Sequence, residues 1–179
     1  TNPFVAVVVQ TRGLTAAADD AAPAVVAVRD TAPGAAPERR ELATTAQVGA
    51  VHGLAFDPAG QALFAAAHVR RGAAFGPGVP GMIYRIDLAS GAVVPWQALS
   101  VGADVHHPDL AADPTVDDTV ARRFVGRHGL GDIARSGDGA ALHVVNLTDR
   151  HITTLALADG RIVGRFRDRE RRDQFDEAL

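Results

Sequence analysis

Imidazole and carboxylate groups crowd together once in this sequence, in GADVHHPDL, which carries Asp104, His106, His107 and Asp109. Those donors together can hold a divalent cation. Neighbouring residues of a strand point to opposite faces, so His106 and His107 ligate as a pair only from a loop. The plainer reading is an exposed polar loop whose aspartates cap turns. Asp132, in GLGDIA, adds a carboxylate at the start of a strand. There it either binds a cation or acts as a base, or it accepts a hydrogen bond from the backbone of a neighbouring unit, the commoner fate of such a group and the expected one. A second stretch, HVRRGAAFGPGVPG, offers Arg70, Arg71 and Phe75 to a partner. Its glycines do not make a phosphate loop, because no Gly-Lys-Ser or Gly-Lys-Thr follows.

Several chemistries are excluded by residue type. The chain of 179 residues has no Cys, and its 18 basic residues are all Arg. Thiol nucleophiles, Cys-ligated metal centres, Schiff-base lysines and P-loop lysines are therefore ruled out. Serine occurs only at 90, 100 and 136, and none lies in a Gly-x-Ser-x-Gly turn. A net charge of −3 gives no electrostatic case for nucleic acid. The longest aliphatic run, FVAVVVQ, is strand-sized, so no transmembrane segment is expected. No cofactor is expected beyond the conceivable divalent cation.

The elements that must position these groups read as strands. LHVVN, ITTLAL and RIVGRF are short β-rich runs separated by SGDG, LTDRH and ADG, the punctuation of a meander. The same pattern occurs upstream. VHGLAFDPAGQALFAAAH lies over LGDIARSGDGAALHVVN at an offset of 79, without a gap, and IYRIDLASG lies over ITTLALADG at an offset of 69. The difference of ten is a loop insertion in HVRRGAAFGPGVPG, residues 68–81. Two copies of one four-stranded unit follow, with a partial third copy in FVAVVVQ, APAVVAVRD and ERRELATT. The expected fold is all-β: consecutive four-stranded antiparallel meanders forming a partial β-propeller of two full blades plus one partial, in ten or eleven strands. Residues 1–47 are the partial blade, 48–100 and 128–166 the full blades, and 167–179 a charged tail. Residues 97–127 form a long inter-blade loop; Asp113 followed by Pro114 starts a short helix expected over 114–123.

SGDGAALHVVNLTDRHI resembles the turn and strand of YVTN-type propeller repeats. The wider stretch around ATTAQVGAVHGLAFDPAGQALFAAAH, with RHGLGDIARSGDGAALHVVNLTDR, is similar to a propeller-like region of large bacterial surface proteins, some of which carry it beside prealbumin-like B-repeat modules. The resemblance spans residues 4–166. It implies an extracellular, cell-surface or periplasmic setting in bacteria and supplies no catalytic residues. The function expected is a non-enzymatic structural or interaction module that engages a protein partner or its own copies through long loops and open blade edges. The alternative is a metal-dependent hydrolase or lactonase of the propeller kind, with a cation near the central channel.

Overall fold

The computed structural model describes residues 3–10, 21–29, 34–99, 101 and 119–167. Three antiparallel sheets follow one another along the chain. The first holds β1 (Phe4–Val8), β2 (Pro23–Arg29) and β3 (Glu38–Thr44); a single helical turn, α1 (Thr45–Val48), leads out of it. The second holds β4 (Val51–Asp57), β5 (Ala62–Ala67), β6 (Met82–Asp87) and β7 (Val93–Ala98). A short helix, α2 (Thr119–Arg122), precedes the third, made of β8 (Leu130–Arg135), β9 (Ala141–Asn146), β10 (His151–Ala156) and β11 (Ile162–Phe166). Each sheet is an open meander and none closes on itself. The chain is thus all-β, with eleven strands among the described residues. The helix expected over 114–123 is present at Thr119–Arg122; residues before 119 lie outside the described set. So does most of the charged tail.

The second sheet is the middle layer, and its composition explains why. Every residue of β5 is buried. Strand side chains alternate between faces, and the odd positions Leu63, Ala65 and Ala67 join Tyr84 and Ile86 against Ala24, Val25 and Ala43 of the first sheet. The even positions Ala62, Phe64 and Ala66 join Ala55 and Ile83 against Ile133, Leu142, Val144 and Leu155 of the third. Phe64 meets Trp96 edge to face, with ring centroids 4.8 Å apart. A strand sandwiched on both sides cannot alternate apolar with polar. ALFAAA does not, and its alanines leave room for a layer on either side.

The sequence repeat is carried into hydrogen-bond register. Leu54 pairs with Ala65 and Ala55 with Phe64; 79 residues on, Ile133 pairs with Val144 and Ala134 with His143. Ala66 pairs with Ile83 where Val145 pairs with Ile152. Even the irregularity of the first strand recurs, between Val51 and Leu54 and between Leu130 and Ile133. Equivalent residues also face the same way: Leu63 and Ala65 look back toward the preceding sheet, as do Leu142 and Val144. The outer strands break the symmetry, with a register shift between Ile83 and Tyr84 in one copy and between Thr154 and Leu155 in the other.

Turns close by side-chain chemistry. Asp57 accepts the N–H of Gly60 at 2.9 Å, and Asp87 accepts both the N–H and the hydroxyl of Ser90 at 2.9 Å. The Ser90 bonds, backbone first, pull the Asp87 carboxyl down to about 2. Asp57 also reaches across to the third sheet, where Arg135 Nε lies 3.3 Å from its Oδ1.

The closest inter-sheet approach is where β4 crosses β8. A methyl group on Gly53 would come within 2.7 Å of the Ile133 nitrogen and 2.8 Å of the Gly131 oxygen, both backbone atoms that cannot swing away. Gly53→Ala should therefore lower stability by about 1–3 kcal/mol, the usual cost of overpacking a close contact. Gly137→Ala, in a turn with open space around it, should change stability by less than about 0.5 kcal/mol. Urea unfolding of the two variants beside the wild type checks both numbers; equal effects would mean the β4–β8 crossing does not fix the distance between sheets.

Candidate interaction surfaces

Of the metal-ligand candidates, Asp104, His106, His107 and Asp109 lie outside the described residues. Asp132 is described, on β8, and its side chain is exposed. Its Oδ1 accepts the N–H of the next residue, Ile133, at 2.9 Å. The bond expected to a neighbouring unit's backbone gives way to this one on its own strand. Among the described residues, no group of three or more His, Asp or Glu is placed to hold a metal ion.

The imidazole that does bridge two sheets is His68. It follows β5 and forms an isolated bridge with Gly129 at the entry to β8. Its Nδ1 lies 2.8 Å from the Leu130 carbonyl oxygen. A carbonyl only accepts, so Nδ1 carries the proton and donates. The His52 ring stands 5.1 Å away. Burial, first of all, holds His68 below its ordinary value of 6.5; the charges of His52 and Arg70 push the same way, and the Leu130 bond opposes them. No local pattern in AAAHVRR announces this role, because the partner is 62 residues away.

The loop over residues 69–81 is folded back onto the second sheet. Val69 and Ala73 are buried. Ala50 donates its N–H to the Ala74 carbonyl at 2.9 Å, and Phe75 bridges to Gly49 while its ring packs against the core of the first and second sheets. The Tyr84 hydroxyl donates to the Pro77 carbonyl at 2.9 Å, and burial raises the pKa of that phenol. Gly49 takes a φ of 59° and, like Gly76, has backbone packed where a side chain would stand. Of the three residues singled out here, Arg71 is exposed, while Arg70 and Phe75 are half-buried.

A third feature has no counterpart in the sequence reading. The face of the third sheet turned away from the second carries a groove of about 730 Å³, whose lining includes the cationic Arg127 and Arg150, His128 and His151, and the apolar Val145, Ile152 and Phe166. Val145, Ile152 and Phe166 form one cross-strand row, pairing in register. Phe166 is 64% exposed and Ile152 39%. A strand reading of ITTLAL marks Ile152 as facing away from Leu155, and that was the available signal. Among the described residues, no helix is long and apolar enough to cross a membrane.

No protein-family model matches the chain, and no curated protein matches it.

The His68 contact predicts a pH dependence with a definite sign. A histidine held below its ordinary value in the folded state binds fewer protons there than in the unfolded chain. Its contribution is complete above about pH 6.5 and is lost as pH falls below that. Urea midpoints for the wild type should drop between pH 7.5 and pH 5. His68→Asn keeps an N–H at the Nδ1 position without a titrating group, so it should lose less over the same interval. Parallel slopes for the two proteins would remove His68 from the account.

Proposed function

We propose that the chain is a non-enzymatic structural or interaction module of an exported bacterial protein, built from propeller-type blades and working outside the cell, at its surface or in the periplasm. The bacterial and exported setting rests on the resemblance to surface-protein repeats. The single observation that carries the interaction reading is the 69–81 loop. It is an insertion relative to the other copy of the repeat, yet it is held by backbone hydrogen bonds, by Tyr84 and by the Phe75 ring. A loop fixed in this way presents Arg71 from a rigid sheet, the arrangement on which binding surfaces are commonly built. Little conformational freedom remains to be lost when a partner engages it. The partner favoured is a protein, since the formal charge of −3 does not attract a polyanion.

The competing class, a metal-dependent propeller hydrolase, needs a cation held by Asp132 together with the His106, His107 and Asp109 loop. Calorimetric titration of the whole chain with calcium, zinc and manganese separates the two. Under the proposal no saturable binding occurs at micromolar metal, and Asp132→Ala behaves as the wild type. A tight one-to-one site abolished in Asp132→Ala would overturn the non-enzymatic reading.

A further inference from the structure

The two interior interfaces of this molecule are built alike: the leading face of one sheet seats on the trailing face of the sheet before it. On the second sheet the trailing face comprises Ala55, Ala62, Phe64, Ala66 and Ile83, all buried under the third. The residues equivalent in register on the third sheet are Ala134, Ala141, His143, Val145 and Ile152. Every one of them is half-buried or exposed. The trailing face of the third sheet is thus the same kind of surface, and among the described residues no sheet covers it. At the other end, the first sheet has a leading face turned away from the second. Ala6 and Val8 of β1 pack inward, while Val5 and Val7 point outward, 59% and 39% exposed. Val28 stands opposite Val5 in register, on the same face. Val26, beside Val7, is already buried, so the open seat is the end at Val5 and Val28.

We infer that a second copy of this chain docks its first sheet, through Val5 and its neighbours, onto the Val145–Ile152–Phe166 face of the third sheet. The contact continues the front-on-back order of the two interior interfaces, and the chain carries both halves of it. The inference rests on the proposed interaction role and goes beyond it, adding a contact in which the 69–81 loop takes no part. Such a contact is heterologous: each molecule uses one face and leaves the other free, so copies add into a closed ring or an open row. The first sheet has three strands; at about 4.8 Å apart, each with about six residues rising about 3.3 Å, they cover at most roughly 14 by 20 Å, or about 280 Å² a side. That is about a third of a standard interface, so the association is weak and reversible.

Sedimentation velocity of the full chain from about 10 μM to 1 mM, a range suited to interfaces at the small end, tests this with two surface variants. Val5→Asp blocks the leading face and Ile152→Asp the trailing one. Circular dichroism confirms that each is folded, and Phe166→Ser is the substitute should Ile152→Asp fail to fold. The wild type should grow in mass with concentration beyond the 18.6 kDa monomer. Each variant alone should stay monomeric, and an equal mixture should form a two-chain species and nothing larger, because one good face of each kind survives. A wild type that stays monomeric throughout, Val5→Asp that still associates, or a mixture that never pairs would each overturn the inference. The metal titration is read independently of self-association, so the functional proposal and this one can fail separately.

Discussion

Burial of β5 on both faces is the constraint from which the rest of the architecture follows. A strand with no solvent side must be apolar throughout, and its neighbours in space must be other sheets rather than water. With alanine at four of six positions, ALFAAA brings those sheets close, and closeness then forces the other choices. Gly53 has to be glycine because β8 backbone occupies the space of its side chain. His68 at the end of the same strand has to find an acceptor, which it finds in the Leu130 carbonyl. Asp57 meets Arg135 across the same seam, so polar contacts hold the layers together at both ends of an apolar middle.

The features that bear on function lie around this block rather than inside it. The 69–81 loop is stiffened by contacts to the second sheet. The groove lies on the outer face of the third sheet. What both present is shape and exposed surface on a scaffold of stacked sheets. The two kinds of surface, a fixed loop and an unmatched sheet face, suit different kinds of contact.

Much of this was legible in the sequence, for identifiable reasons. Offsets of 79 and 69 are visible because glycine and aspartate recur at turns, and turn residues are under local steric control. Strand positions followed from those turns, and the register reproduced the offsets. The α1 turn was missed although Thr44 and Gln47 spell a capping box, with the Thr44 N–H donating to Gln47 Oε1 at 2.9 Å; ERRELATT was read as strand to its end. Asp132, expected from sequence to bond outward to another unit, bonds instead to the N–H of Ile133 on its own strand, a choice of rotamer that residue type does not disclose. The bridging role of His68 depends on the stacking of two sheets, so nothing within a few residues of it could disclose it. The His106 and His107 cluster lies outside the described residues, and its chemistry is the concern of the metal titration.

The recurrence of the first-strand irregularity at Val51–Leu54 and Leu130–Ile133 bears on how such a chain changes over generations. Each unit carries its own phase-setting device, so a stretch of gene copied in whole units arrives with its facing residues already assigned to the correct sides. A copied unit need not renegotiate pairing with its neighbours; it extends the stack by one layer, and loops such as 69–81 are free to lengthen in one copy alone. Divergence can then proceed in the connections and the outer strands while the inner strands keep time, which is the pattern the two copies display.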